Sequence, residues 1–210
     1  MIWDSLPLYL SRENKRFVFS ALRKSARARE YESALQWLRD AGLVLISYLV
    51  KTIEQPLRGF ADQSIFKVFC LDVGLLAAMA RIPLESLTEK NMLFTTYHGA
   101  FVENYIAQQL TALNETGLFF WKSENAQAEV DFILDLPPEI FPLEAKAGIN
   151  PKSKSLLSYR NRYNPKLSVR SSLLNLQHAG PVLNVPLYAV QSIETFINLA
   201  QGRSLPPLIA

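Results

Sequence analysis

Cysteine and histidine are nearly missing from this sequence: Cys70 is the only cysteine, and His98 and His178 are the only histidines. A lone cysteine has no partner for an internal disulfide, and so few thiol and imidazole donors exclude a zinc site built from Cys and His. Glycine is scarce as well, with 8 residues and no Gly-x-x-x-x-Gly-Lys-Ser/Thr loop, so the chain offers no P-loop phosphate cradle. No apolar run reaches membrane-spanning length and the N-terminus has no signal-like pattern, so we expect no membrane partner and a cytoplasmic location. Internal repeats and low-complexity tracts are absent too, which leaves solenoids and fibrous arrays out.

What is present is ordinary globular material. The 210 residues are 49% hydrophobic and 20% charged, enough for one large or two small domains and too apolar for a disordered chain. The net charge of +3 says less than its distribution. Between Arg12 and Arg29 seven Lys or Arg stand against one acid, and from Ala147 to Arg170 six bases occur without an acid. From Glu103 to Glu144, by contrast, eight carboxylates accompany the single Lys122. An acidic stretch followed by a basic one suits a metal site beside a phosphate-binding surface; solvated faces of separate elements would give the same pattern.

Residues 12–29 run on into Tyr31, Ala34, Leu35, Trp37 and Leu38 at helical spacing, and Asp40-Ala41-Gly42 supplies a stop at glycine. Leu43 to Ile46 with Tyr48, Leu49 and Val50 is strand-like, and Ile65 to Phe69 is its expected partner across a long loop. Helices followed by a two-stranded ribbon predict a winged-helix-like unit. A short helix is expected over Leu75 to Met79, and the polar connection Pro83 to Asn91 divides the chain into domains 1–90 and 91–210. Beyond it, Ala100, Val102, Ile106, Ala107 and Leu110 mark an amphipathic helix carrying Glu103. Strands are expected over Leu118 to Trp121, Ala128 to Leu134 and Ile140 to Ala145. Asp135-Leu136-Pro137-Pro138 supports a hairpin between the last two, while the proline pair argues against a tight two-residue turn. Lys152 to Tyr163 reads as a helix, Leu167 to Val169 and Val182 to Val190 as strands, and Ile193 to Leu199 as a closing helix. The predicted class is mixed α/β, with an αβββαβ core whose central mixed sheet is flanked by helices. Trp37 and Trp121 are read as core or boundary aromatics.

Chemistry concentrates in two neighbouring strands. Asp131 lies in one, and Glu144 and Lys146 lie in the next. Residues two apart on a strand share a face, so Glu144 and Lys146 project together, and a hairpin sets Asp131 opposite Glu144. Two opposed carboxylates repel, and the pair needs a cation or a shared proton. Magnesium, or manganese, meets that need as a hard cation that takes oxygen ligands and keeps several waters. Asp131 and Glu144, with Glu103 from the preceding helix, are therefore the expected metal ligands, and Lys146 the residue that holds the attacking water or offsets phosphate charge. Lys152, Lys154, Arg160 and Arg162 after the site, and Arg23, Lys24, Arg27 and Arg29 near the N-terminus, are the candidate phosphate contacts. Glu124 and Glu129 are read as surface acids.

Short stretches spread over almost the whole chain carry a family resemblance. They include Asp40-Ala41-Gly42-Leu43-Val44, Leu71-Asp72-Val73-Gly74-Leu75-Leu76, Gly99-Ala100-Phe101-Val102-Glu103-Asn104, Ala128-Glu129-Val130-Asp131-Phe132 and Glu144-Ala145-Lys146-Ala147-Gly148. With them the sequence resembles the C-terminal half of a group of prokaryotic AAA-type ATPases whose last domain, of unknown function, is related to PD-(D/E)xK nucleases. The resemblance implies a winged-helix region followed by a nuclease-like core over 98–172, with the site at Asp131, Glu144, Lys146 and Glu103. In that family a nucleotide-binding domain precedes these parts, so ATP is expected only through a domain outside this chain, which looks like a fragment or the product of a shortened gene. The expected function is a nuclease-like module that binds nucleic acid, DNA first, and cleaves phosphodiesters with a divalent metal. The alternative is a non-enzymatic module that docks a client protein and keeps a vestigial acidic site.

Overall fold

The computed structural model describes residues 2–10, 28–82, 92–113, 117–125, 127–148 and 153–203. They divide between two units that interleave in sequence, 1–49 with 61–118 and 50–60 with 119–210.

The first unit holds helices α1 (Ile2–Leu10), α2 (Ala28–Asp40), α3 (Val73–Met79) and α4 (Met92–Leu113) and strands β1 (Val44–Val50, all but its last residue) and β2 (Ala61–Cys70). Helix α2 stops where its glycine requires. Gly42 sits at φ +70°, its N–H donates to Arg39 O at 2.9 Å and the N–H of Leu43 donates to Leu38 O at 2.9 Å, the two-bond closure that a left-handed residue permits. Leu35 and Leu38, one turn apart on α2, join Leu6, Val44, Phe66 and Val68 in an apolar cluster. Trp37 is two residues from Leu35, on the far side of a helix that turns about 100° per residue, and is 66% exposed, which corrects its reading as a core or boundary aromatic. Strands β1 and β2 are neighbours in one sheet, the pairing expected of them, but not as an isolated two-stranded ribbon.

On α4 the stripe Ala100, Val102, Ile106, Ala107 and Leu110 is buried. Asn104, also fully buried, accepts the N–H of Cys70 at 2.8 Å and donates to its carbonyl at 3.0 Å, so one amide satisfies both backbone groups at the end of β2. Cys70 is a free thiol whose pKa burial pushes up.

The second unit contains β3 (Leu118–Lys122, from its second residue), β4 (Glu129–Val130), β5 (Phe132–Leu136), β6 (Glu139–Ala145), α5 (Lys154–Tyr163), β7 (Ser168–Ser172), β8 (Gln177–Ala179), β9 (Val182–Pro186) and α6 (Ile193–Ala200). Its five-stranded mixed sheet has the order β5-β6-β7-β9-β8, while β3 and β4 pair with each other in a separate sheet, so the three successive strands expected in one central sheet are split between two. The pairs β6/β7 and β7/β9 are parallel, while β5 and β8 pair antiparallel at the two edges. A parallel pair needs a crossover, and α5 supplies it between β6 and β7. Every residue of the central strand β7 is buried, as for a strand covered on both faces.

Two local expectations change. Pro137 and Pro138 themselves form a tight turn, with Leu136 opposite Glu139 and a cis peptide between the prolines. That is the proline geometry of type VI turns, and the two-residue reversal that the pair argued against is present. The strand expected over Val182 to Val190 ends at Pro186, which pairs with Ser172, the last residue of β7; with no ladder to continue, Leu187–Ser192 winds into a 3-10 helix.

The segment 50–60 is tied to the second unit by Asp135 on β5. This buried carboxylate accepts Gln55 Nε2 at 2.7 Å and the N–H of Leu57 at 3.0 Å.

Candidate active site

The β5–β6 register places Phe132 opposite Leu143, and one step further it brings Asp131 level with Glu144. Asp131, half-buried just before β5, accepts the N–H of Ala145 at 2.9 Å, so its carboxylate caps the end of β6. Glu144 is buried and points to the same side as Lys146, whose Nζ lies 2.5 Å from Glu144 Oε1. The other oxygen, Oε2, accepts from Ser153 Oγ. Ser153 is also the N-cap of α5, accepting the N–H of Leu156 at 3.2 Å, so the start of the crossover helix and the acid share one hydroxyl.

Arg170 completes the surroundings. It is the register partner of Glu144 on β7 and of Asn184 on β9. Its Nε donates to Asn184 Oδ1 at 2.9 Å. Ser172 Oγ donates to the same oxygen at 2.7 Å, and Asn184 Nδ2 donates to the carbonyls of Leu174 and Asn175 at 3.1 and 2.9 Å. Burial lowers the pKa of Arg170 and the charge of Glu144 opposes that shift. A polar row thus crosses the sheet at one level, Asp131, Glu144, Arg170 and Asn184, with two carboxylates balanced by two cations once Lys146 is counted.

Of the expected site residues, Asp131, Glu144 and Lys146 lie in the second unit, with Lys146 paired to Glu144 and Asp131 bonded to the backbone of Ala145 between them, while Glu103 stands half-buried on α4 in the first. Among the described residues no three His, Cys, Asp or Glu side chains form a group able to hold a metal ion. Asp131 and Glu144 are nonetheless hard oxygen donors in the number that magnesium takes from a protein when water and phosphate complete its shell.

The expected phosphate contacts scatter. Lys154 is exposed on α5 and Arg160 is half-buried. Arg162 pairs with Glu124 at 2.7 Å, which raises its pKa, and lies 5.5 Å from the Tyr163 ring centroid. Arg29 stands in α2, its side chain outside the described set, and Lys152, Arg23, Lys24 and Arg27 lie outside the described residues. Glu129 pairs across the strand with Lys122 at 3.3 Å. Trp121 is buried against Tyr159 and donates to Tyr163 Oη at 3.1 Å. The same burial raises the pKa of Tyr159.

Arg170, Asn184 and Ser153 were not among the expected site residues. Ser153 had a local signal, a serine just ahead of a helical run. Arg170 and Asn184 show only as polar residues inside otherwise strand-like segments.

Residues 98–188 match the model of a family described as Domain of unknown function (DUF4143), and residues 1–86 match another described as Domain of unknown function (DUF8612). The comparisons with curated proteins and with solved structures give no match. Among the described residues no helix is long and apolar enough to cross a membrane.

Proposed function

We propose that the second unit is a nuclease-like module of an AAA-type ATPase-related protein, which binds nucleic acid and cleaves phosphodiester bonds with a divalent metal. What supports this reading is the β5–β6 hairpin that sets Asp131 level with Glu144 and its partner Lys146, ahead of a crossover helix capped by Ser153. In this reading Asp131 and Glu144 hold magnesium or manganese. When bound there, the cation would polarise the phosphodiester and lower the pKa of the attacking water. Lys146, on a flexible stem and 30% exposed, offsets charge on the phosphate, and Lys154 at the start of α5 adds a contact to the backbone. The first unit, with α2 leading into the β1–β2 pair, is read as winged-helix-like. The test is nicking of mixed DNA and RNA substrates with magnesium or manganese. We expect cleavage in the wild type and a loss of at least about a hundredfold in Asp131→Ala; equal nicking by both, or by neither, sinks the reading.

One observation favours a second reading. Both oxygens of Glu144 are already engaged, by Lys146 and Ser153, and Arg170 stands beside it. A balanced, internally bonded row is what a non-enzymatic docking module with a vestigial site would retain; it predicts partner binding unchanged in Asp131→Ala and no turnover.

A further inference from the structure

Two cations stand near Glu144, and they are held differently: Lys146 pairs with it directly, while Arg170 is its register partner on β7. Lys146 is 30% exposed, lies one residue beyond the end of β6, and meets Glu144 through a single ammonium on a long stem. Arg170 is 9% exposed, sits in the middle of the central strand, and is fixed by Asn184. Asn184 has no freedom to release it: its oxygen accepts Arg170 and Ser172, and its NH₂ donates to two backbone carbonyls, so the orientation of the amide is determined by its partners.

We propose that Arg170 is a positioning residue of this site: clamped by Asn184, it is the fixed counter-ion of Glu144, whereas Lys146 is the counter-ion given up to an entering divalent cation. A buried carboxylate stripped of its only cation would be costly, and a site in which Lys146 alone balanced Glu144 would lose that balance whenever the lysine turned to substrate. Arg170 keeps Glu144 compensated through the exchange. The exchange step rests on the metal-dependent reading above; the fixed pairing does not.

The experiment needs no nucleic acid. Arg170→Met and Lys146→Met are made in the wild-type and Glu144→Gln chains, with thermal unfolding followed without metal and Mn²⁺ binding followed by calorimetry. We expect Arg170→Met to lower the midpoint by roughly 10 °C, or to prevent folding, and Lys146→Met by no more than about 3 °C. Glu144→Gln should remove most of the Arg170→Met loss, because a neutral amide requires no counter-ion. Lys146→Met should bind Mn²⁺ roughly fivefold more tightly, with no ion pair left to break. An Arg170→Met loss that is the same in both backgrounds makes Arg170 a packing residue and overturns the proposal. So does Mn²⁺ binding in Lys146→Met that is unchanged, weaker or absent. A chain that passes both tests yet never nicks DNA removes the cleavage reading and leaves the fixed pairing standing.

Discussion

The two ends of strand β6 each carry a glutamate surrounded by donors. Glu139, beside the proline turn, accepts Lys166 at 2.6 Å, Arg203 at 3.0 Å and Gln201 at 2.7 Å. It borders a cavity of about 360 Å³ lined also by His178. Glu144, at the other end, has Lys146 and Ser153, with Arg170 level with it on β7. The inventories are alike; the surroundings are not. At Glu139 the acid itself keeps 19% exposure and its first partner Lys166 is 79% exposed, so water can replace that lysine. At Glu144 the acid and one of its cations are both buried, so neither has water to fall back on. Charge pattern alone therefore does not distinguish a surface clasp from a site; depth in the sheet does.

The contrast can be broken first at its deep end. Glu144→Ala leaves Arg170 buried without its acid, and we expect denaturant unfolding to show a loss of about 3–5 kcal/mol; a loss below about 1 kcal/mol would put Glu144 on the same footing as Glu139. Ser153→Ala removes the helix cap and a donor to Glu144 together, for which about 1–2 kcal/mol is expected in the same assay. The smallest effect belongs to Glu139→Gln, under about 1 kcal/mol at neutral pH. Its signature is in the pH dependence. Lys166, and then Gln201, hold the Glu139 carboxyl below its ordinary value. A depressed folded pKa gives stability that is complete above the unfolded value, about 4.3, and that is lost as pH falls through the folded one. Unfolding midpoints measured from pH 6 downward, on the order of every half unit, should therefore fall less steeply in Glu139→Gln than in the wild type.

Much of the architecture could be read from the sequence because its signals are local. Gly42 closes α2, the apolar stripe of α4 is buried, and helix, strands, helix and strand follow in the expected order along the chain, although the stretch expected as one strand over 128–134 breaks at Asp131 into β4 and β5, which join different sheets. The pairing of Asp131 with the end of β6 followed from alternation and one hairpin. What escaped was set by distance along the chain. Arg170 faces Glu144 only because β7 returns beside β6 after the α5 crossover, and Asn184 reaches Arg170 only after a further hairpin. Neither is visible in a window of a dozen residues. The tight turn at Pro137-Pro138 was missed for another reason: the peptide isomer is not written in the residue names. Exposure of Trp37 was a question of phase, since the buried face of α2 is defined by Leu35 and Leu38.

The tie between Asp135 and residues 55 and 57 bears on how the protein can be divided. The polar connection before residue 92 separates the two family matches, yet the donors that satisfy Asp135 are encoded ahead of it. A gene cut there gives a downstream piece in which Asp135 loses the donors of Gln55 and Leu57, and an upstream piece from which α4, with Asn104, is missing. Neither compact unit can be made whole by a single scission.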